Sequence, residues 1–226
     1  MKRYAIYYAP PQDAFAKAAA SWLGYDVQTG SHVAQPDFPD LNREIEVLTV
    51  DPRKYGFHGT IKAPFRLADG VSPADIAAAV QAVAAQCPAV GMAGLQMINL
   101  EGFLAFVPIG NAAALTDLAA HIVRSLDPYR AELTEAEIAH RRPNDLTPRQ
   151  RELLAIYGYP YVMEEFRFHL TLTGPMSDAE HAIVGPLATA HFAGLVPQPF
   201  MLGDICLMGE DSTGRFHLLD RYALTG

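Results

Sequence analysis

Short runs in which apolar residues recur at every second position predict most of the β-strands of this chain. The run at residues 2–9 ends at two prolines and predicts a first strand. Two later pairs of runs flank turn residues and predict hairpins, because adjacent strands joined by a short turn pair with each other. These pairs are 95–100 with 103–109, and 201–208 with 215–224.

Helix signals separate these strands. An N-cap serine followed by proline at Ser72-Pro73 opens a predicted helix to about residue 87. Further helices are predicted at 13–23, 112–126 and 177–192. Capping boxes at Thr134 and Thr147 predict two short helices within 127–161. The composition of residues 24–39 predicts a loop, and the apolar positions of 41–55 fit neither the period of a helix nor that of a strand clearly.

One tetrapeptide pattern occurs twice, as Phe57-His58-Gly59-Thr60 and as Phe168-His169-Leu170-Thr171. Residues two apart on a β-strand point to the same face. Each copy, on strands predicted at about 56–63 and 165–173, therefore places an imidazole beside a hydroxyl. The residues between and around them turn to the other face, which suits a core.

The two copies lie about half the chain apart, which indicates an internal duplication. Each half repeats the order motif strand, capped helix, hairpin. We therefore predict one bilobal α+β domain over residues 1–226, with repeat halves at about 1–126 and 160–226 and a helical connector at 127–160. Two antiparallel sheets should line a central cleft, with helices outside and both His/Thr faces in the cleft.

Composition and charge limit the kinds of ligand and the cellular location that are expected. Half of the residues are hydrophobic, so the chain can bury a large core without disulfides, and Cys87 and Cys206 are expected to be buried free thiols. The net charge of −8 argues against an extended nucleic-acid surface but permits a local basic pocket for a small phosphorylated substrate. No stretch has the length of a secretory or membrane-spanning segment, so a cytoplasmic protein without membrane contact is expected.

The paired motifs suggest acid–base chemistry. Two facing imidazoles can act as a general base and a general acid, and two hydroxyls can hydrogen-bond the oxygens of one tetrahedral anion. Such an arrangement suits in-line attack on phosphorus. His58 and His169 are the candidate catalytic residues, and Thr60 and Thr171 the candidate phosphate ligands. No metal-ligand spacing occurs, so neither a metal nor another cofactor is expected.

The duplicated His-x-Thr pattern resembles the 2H phosphoesterase superfamily. The longer strings at 55–65, 158–162 and 166–174 are similar to its branch associated with phosphonate-utilisation operons, the DUF1045 type. The resemblance implies a bilobal, LigT-like fold and metal-independent cleavage or formation of cyclic phosphodiesters. It assigns catalysis to both histidines and phosphate contact to both threonines.

Several further residues are candidates by position. Lys62, Thr173 and Arg167 fall in the same alternation as the motif residues and could bind phosphate, although solvated edge positions explain them nearly as well. Other candidates for substrate contact are Arg141 and Arg142 in the connector, and Tyr4 and Tyr8 on the first strand. For these four, surface salt bridges and core packing are the alternatives.

The leading hypothesis is therefore a phosphoesterase that hydrolyses a small cyclic phosphodiester, with a nucleotide- or ribose-derived compound of phosphonate breakdown as the expected substrate. One alternative is a phosphate-binding module that uses the same cleft without turnover. Another is an enzyme acting on RNA termini, which would need a basic track to the cleft. The sequence leaves open the oligomeric state and which histidine is the base.

Overall fold

A seven-stranded antiparallel sheet forms the centre of the protein in a computed structural model that describes residues 1–39, 41 and 43–226. Its strands, with four shorter ones, are β1 (Tyr4–Tyr8), β2 (Tyr25–Asp26), β3 (Ser31–His32), β4 (Gly59–Phe65), β5 (Val90–Met92), β6 (Leu95–Leu100), β7 (Phe103–Pro108), β8 (Leu170–Thr171), β9 (Phe200–Leu202), β10 (Asp204–Glu210) and β11 (Phe216–Ala223). The large sheet has the order β11-β10-β1-β4-β8-β7-β6, while β2 pairs with β3 and β5 with β9.

The large sheet consists of a four-stranded and a three-stranded part. The two parts meet where β4 lies beside β8, and the pairing there is a single residue pair, Gly59 with Leu170. The predicted α+β fold with antiparallel sheets on the two sides of a cleft is confirmed in this form. The two motif segments are thus direct neighbours at the middle of the sheet.

The two hairpins pair across the predicted repeat halves. The first hairpin, β6–β7, pairs through β7 with the second motif strand β8. The last hairpin, β10–β11, pairs through β10 with the N-terminal strand β1. Each part of the sheet therefore contains strands from both ends of the sequence, and the two parts are tied together by the chain path as well as by packing.

The helices pack around this sheet. They are α1 (Ala14–Leu23), α2 (Ile45–Leu48), α3 (Val50–Arg53), α4 (Pro73–Ala84), α5 (Ala113–Leu126), α6 (Glu135–His140), α7 (Pro148–Tyr157) and α8 (Asp178–His191). Capping boxes begin α4, α6, α7 and α8, and those of α6 and α7 are the two predicted from the sequence. These caps satisfy backbone N–H groups that a helix start leaves without partners.

One large hydrophobic core lies between the helices and one face of the sheet. Trp22 of α1 is fully buried in it, and its indole N–H donates to the carbonyl of Leu172, 3.0 Å away. This bond ties α1 to the segment that follows the second motif. Cys87 and Cys206 are buried free thiols, as predicted.

Three local predictions need correction. The second motif strand is far shorter than the predicted 165–173, because after Thr171 the backbone leaves the β4 ladder and Gly174 donates instead to the carbonyl of Leu48. The predicted loop at 24–39 contains the small β2–β3 hairpin. The ambiguous stretch 41–55 forms the short helices α2 and α3. Within the described residues, no helix combines the length and the apolar character that crossing a membrane requires.

Candidate active site

The register between β4 and β8 places the two motifs crosswise. Gly59 pairs with Leu170 in an antiparallel ladder, so the residues flanking this pair stand opposite each other as well. His58 then faces Thr171, and Thr60 faces His169. Directly opposed side chains have Cβ atoms about 4.5–5.5 Å apart. Two imidazole–hydroxyl pairs thus come together around one local two-fold axis.

The central pair is packed on the core face. Leu170 is fully buried, whereas Gly59 leaves room for the aromatic ring of Phe168. A Cβ on Gly59 would lie 2.4 Å from that ring, which is shorter than any real contact. The glycine therefore allows a phenylalanine of the second motif to pack directly against the backbone of the first.

Both histidines are oriented by the same kind of hydrogen bond. The Nδ1 of His58 lies 2.9 Å from the carbonyl oxygen of Gly56, and the Nδ1 of His169 lies 2.8 Å from that of Arg167. A carbonyl only accepts, so Nδ1 carries the proton in each ring and Nε2 has a free lone pair. For His58, that lone pair accepts from the Thr60 hydroxyl at 3.2 Å. Both rings are thus held in one orientation by a bond from Nδ1, with Nε2 left for other partners.

The surroundings of His58 are closed. The ring of Tyr7 stacks on its imidazole with centroids 3.9 Å apart, and Tyr55 lies 5.7 Å away. Burial, which disfavours the charged imidazolium, is the main reason that its pKa falls to about 4, and the nearby His169 adds a smaller lowering. Burial also raises the pKa of Tyr7 well above its usual value, so the stacked phenol stays neutral.

His169 has more open surroundings. The nearest ring is that of Phe103, tilted at a centroid distance of 5.8 Å. The carbonyl that orients the imidazole belongs to Arg167, whose side chain is exposed. The two histidines therefore share a tautomer but not an environment.

All four motif side chains line one cavity of about 370 Å³, which we call the cleft. Its remaining lining residues include Arg3, Tyr7, Asp51, Tyr55, Phe103, His140, Arg141, Tyr159 and Thr173. The predicted convergence of His58, Thr60, His169 and Thr171 is thus found in the structure. A volume of this size accommodates a small phosphorylated molecule.

The cleft contains two guanidinium groups. That of Arg3 is neutralised by Glu210, with N–O distances of 2.5 and 2.7 Å. That of Arg141 lies over the ring of Tyr159, 4.9 Å from its centroid. No ion pair to Arg141 is found within residues 1–39, 41 and 43–226. Arg141 is therefore the cation most available to an anion in the cleft.

A second cavity, of about 470 Å³, adjoins the cleft, and we call it the side cavity. Both spaces share a wall made of Thr60, Ala63, Phe103, Tyr159 and His169. His58 and Thr171 border the cleft but not the side cavity. His169 therefore lies between the two spaces, while the ring of His58 is stacked against Tyr7.

Lys62 does not reach the cleft, contrary to the sequence prediction. The pairing of β4 with β1 shifts register between Thr60 and Lys62, which breaks the two-residue alternation. The ammonium group is buried instead against α5, 3.2 Å from Asp127 Oδ1 and 3.3 Å from the carbonyl of Val123. Burial lowers the pKa of Lys62 to about 8, and Asp127 opposes this shift.

Thr173 and Arg167 occupy intermediate positions. The Thr173 hydroxyl borders the cleft but is almost fully buried and accepts a hydrogen bond from the backbone N–H of Leu104 at 3.0 Å. Its acceptor role is thus used within the sheet. The exposed Arg167 side chain lines the side cavity. Thr173 therefore lies in the wall of the same cleft as Thr60 and Thr171, whereas Arg167 lies in the side cavity.

Tyr4 and Tyr8 pack in the core, which corrects their prediction as substrate contacts. Tyr8 lies against Phe168 and Phe200 at centroid distances of 6.0 and 5.2 Å. It is Tyr7, on the opposite face of β1 and paired with Thr60, that enters the cleft. Of the two connector arginines, Arg141 lines the cleft and the exposed Arg142 does not.

Sequence reasoning missed other cleft residues, namely Arg3, Tyr55, Phe103, His140 and Tyr159. The alternation along β1 contains a signal for Arg3 and also for Tyr7, the cleft residue described above, since the two are an even number of residues apart. Phe103 begins β7, and the others come from a loop and the connector, so their approach to the cleft depends on tertiary packing. No group of three or more potential metal ligands is found among the described residues.

Comparison with known proteins gives a family match over more than half of the chain. A family described as "Protein of unknown function (DUF1045)" matches residues 60–217, a range that contains Thr60 and the whole second motif. This is the branch that the sequence resemblance indicates.

Two curated relatives match nearly the whole chain. One from Janthinobacterium sp. (strain Marseille) is 36% identical over 95% of this chain, and one from Laribacter hongkongensis (strain HLHK9) is 33% identical over 87%. Both are named "Ribose 1,5-bisphosphate phosphokinase PhnN". The chain spans about half the length of these relatives, 49% and 46% respectively.

Among solved structures, the protein is similar to E. coli LigT bound to 3'-AMP, with 15% identity and a TM-score of 0.46 over 99% of this chain and 98% of that one. It is also similar to TT0787 of Thermus thermophilus, with 14% identity and a TM-score of 0.47 over 99% and 98% of the two chains. A further structure, described as a phosphoesterase, gives 13% identity and a TM-score of 0.42 over 100% and 99%.

Proposed function

The chain belongs to the DUF1045 family, and from this premise we propose that it is a metal-independent phosphoesterase that hydrolyses a small cyclic phosphodiester. The observation that carries the proposal is the crossed pairing of the motifs, with Gly59 opposite Leu170 and an imidazole–hydroxyl pair on each side. Two imidazoles that bond to carbonyls through Nδ1 leave their Nε2 atoms to supply the proton acceptor and, in the protonated form of one ring, the proton donor that hydrolysis requires.

The phosphate is held at the centre of the cleft. Thr60 and Thr171 each donate a hydrogen bond to one non-bridging oxygen, and the Arg141 guanidinium offsets part of the negative charge. Hydrogen bonds aimed at developing charge in a partly enclosed site stabilise the transition state. The hydroxyl of Thr60 leaves the Nε2 of His58 for the anion when substrate binds.

Proton transfer then follows from the difference between the two histidines. His58, whose pKa of about 4 keeps it neutral at ordinary pH, takes a proton from water as the water oxygen attacks phosphorus. The bond between phosphorus and one ring oxygen breaks, and His169 in its protonated form gives that oxygen a proton. The product is a phosphomonoester, and the cycle closes when His58 gives its proton to solvent and His169 takes one from solvent.

The substrate to test first is a ribose-derived cyclic phosphate. The curated relatives carry a name that refers to a phosphorylated ribose, and the sequence resemblance is to a branch associated with phosphonate-utilisation operons. A ribose-derived intermediate of phosphonate breakdown is therefore the first compound to assay.

The test is an assay on a panel of cyclic phosphodiesters with EDTA present, using the purified chain and its His58→Ala and His169→Ala variants. We expect turnover of at least one compound, unaffected by the chelator and lost in both variants. Activity that disappears with EDTA, or that survives in either variant, would contradict the proposal. Saturable phosphate binding without turnover would support the alternative of a binding module.

A further inference from the structure

Arg141 and Tyr159 reach the cleft from two separate parts of the connector. Arg141 comes directly after α6, and Tyr159 comes directly after Gly158, the residue that caps the end of α7. The Arg141 guanidinium lies 4.9 Å from the centroid of the Tyr159 ring. Neither helix belongs to the sheet that carries the motifs, so contacts between the connector and the rest of the fold must fix this cation and this ring in place.

One such contact is a backbone bridge between the connector and the segment that follows β4. Residues 129–131 run antiparallel to residues 66–68, with N–O distances of 2.8 and 2.9 Å. Residues 66–68 continue from β4, which carries Thr60. The bridge therefore fixes the backbone of Arg130 relative to the first motif.

The side chain of Arg130 extends from this bridge to the end of α7. Its Nη2 donates to the carbonyl of Ile156 at 2.9 Å, and its Nη1 donates to that of Ala131 at 3.1 Å. The Ile156 carbonyl lies in the last turn of α7, where carbonyls lack a partner within the helix. A Cβ on Gly158, whose φ is +72°, would lie 3.1 Å from Nη1. The guanidinium thus packs against the backbone immediately before Tyr159.

Asp127 holds the same guanidinium from the other side. Its carboxylate accepts from Arg130 Nε at 2.9 Å and from Nη2 at 3.2 Å, a two-point contact that fixes the plane of the group. The ammonium of Lys62 lies 3.2 Å from this carboxylate. Burial opposes the charge of Asp127, but the two cations keep the pKa of its carboxyl below the usual value. The side chains of Lys62 and Arg130 are only 4% and 11% exposed, so little water competes for these bonds.

The two cations on Asp127 differ in their reach. Lys62 contacts Asp127 and the carbonyl of Val123, both at the C-terminal end of α5, whereas Arg130 also contacts α7. Removing either cation leaves Asp127 paired with the other. Lys62→Met and Arg130→Met are therefore a matched pair of variants that differ in the contact to the connector.

We propose that Arg130 is a positioning residue that fixes Tyr159, and through it Arg141, in the cleft. The proposal rests on the proposed function only for the role of Arg141 as an anion ligand. A guanidinium that is already held in place loses less conformational freedom when it binds an anion, which favours binding. Affinity for the phosphate group then depends on Arg130, which is not one of the residues that line the cleft.

The first experiment follows the position of Arg141 by NMR and needs no substrate. A guanidinium Nε–H proton above an aromatic ring is shifted upfield, and the Arg141 signal is assigned by its disappearance in Arg141→Met. Arg130→Met should move this signal toward its position in Tyr159→Leu, which removes the ring, and Lys62→Met should leave it in place. An unmoved signal in Arg130→Met, or an equal movement in Lys62→Met, would overturn the proposal.

The second experiment measures the binding of inorganic phosphate by calorimetry in a double-mutant cycle. Arg130→Met should weaken binding by about 3- to 10-fold, less than the roughly 10-fold or greater loss expected from Arg141→Met. In the Arg141→Met background, Arg130→Met should have no further effect, because the two residues act through one contact. A full additional loss would show that Arg130 acts independently of Arg141 and would overturn the proposal.

A conservative variant separates positioning from folding. Arg130→Lys keeps a charge beside Asp127 but loses the planar fork that also reaches Ile156. It should move the Arg141 signal in the same direction as Arg130→Met, and it decides the question if Arg130→Met does not fold. A protein that neither binds phosphate nor turns over a cyclic phosphodiester would contradict the proposed function, while the Arg141 signal would still test the role of Arg130.

Discussion

The two motif segments share one local design in two different settings. In each, the imidazole Nδ1 donates to the carbonyl two residues earlier, which leaves Nε2 toward the cleft. The first carbonyl belongs to Gly56, whose φ of +71° is a conformation that favours glycine, while the second belongs to Arg167, an ordinary exposed residue. The first imidazole is closed under Tyr7, and the second opens to the side cavity.

The shared orientation leaves Nε2 of either ring available for proton exchange. The neighbours of the two rings differ, because Tyr7 stacks on His58 whereas the nearest ring to His169, that of Phe103, is tilted and more distant. Under the proposed function, the motifs supply the geometry of the pair, and the residues packed around each histidine assign the base role to His58, whose pKa is lowered by burial.

The largest expected effect comes from removing either imidazole. His58→Ala and His169→Ala should each lower kcat by about 10²- to 10⁴-fold, the usual contribution of a positioned acid or base. The double variant should be little worse than either single one, since both groups act in one step. Far-ultraviolet circular dichroism and melting curves serve as folding controls. If the kcat loss of the double variant equals the product of the two single losses, a shared step is contradicted.

Alanine at the central residue of either motif should destabilise the fold, but for opposite reasons. Leu170→Ala leaves a cavity in the core and should cost about 2–5 kcal/mol of unfolding free energy. Gly59→Ala adds a methyl group against the Phe168 ring and should cost about 1–3 kcal/mol by overpacking. Denaturant titration measures both. Combining Gly59→Ala with Phe168→Leu should recover part of the Gly59 loss, and no recovery would contradict the contact.

Replacing the aromatic ring nearest to each histidine should reveal the difference between their environments. Tyr7→Leu hydrates His58 and should raise its pKa from about 4 toward the ordinary 6.5. If His58 is the base, the acid limb of the kcat profile then moves to higher pH. Phe103→Leu, the matched change beside His169, should leave that limb in place. Histidine NMR titration reads the pKa directly, and an unshifted His58 would contradict burial as its cause.

The same burial predicts a pH dependence of folding stability. Between pH 6.5 and about 4, the unfolded chain binds a proton at His58 that the folded chain does not. Stability should therefore decrease as the pH falls through this window. His58→Asn should reduce this decrease relative to the unmodified protein in urea titrations at several pH values. An equal slope in both proteins would show that His58 is already hydrated in the folded state.

The smallest effect on rate is expected at Lys62, two residues after Thr60. Lys62→Met removes a buried ammonium group that pairs with Asp127. Asp127 still pairs with the Arg130 guanidinium, 2.9 Å away, so activity should stay close to that of the unmodified protein. Thr60→Val, the neighbouring change within the motif, should reduce kcat by about 10²-fold or more. Comparable losses of kcat in the two variants would support the original prediction that Lys62 binds phosphate.

Local pattern was sufficient to predict the heart of the site. A period of two on the motif strands places His58 beside Thr60 and His169 beside Thr171, and the duplication predicts that the pairs meet. The capping boxes of the connector could also be predicted from the sequence, because each depends on two residues only three positions apart.

The remaining parts depend on long-range pairing that a single sequence does not reveal. The irregular register between β1 and β4 turns Lys62 away from the cleft. Apolar and aromatic residues occupy both faces of β1, so the pattern alone did not distinguish the buried Tyr4 and Tyr8 from Tyr7. Tyr159 and Arg141 reach the cleft only through the packing of the connector.

The central claim is that both imidazole–hydroxyl pairs act on a single tetrahedral anion, and a crystal structure with bound phosphate tests it most directly. The account predicts one phosphate in the cleft, with separate oxygens within hydrogen-bond distance of the Thr60 and Thr171 hydroxyls and with the Nε2 atoms of His58 and His169 on opposite sides. A phosphate that contacts only one of the two pairs, or that occupies the site with either histidine turned away, would contradict it.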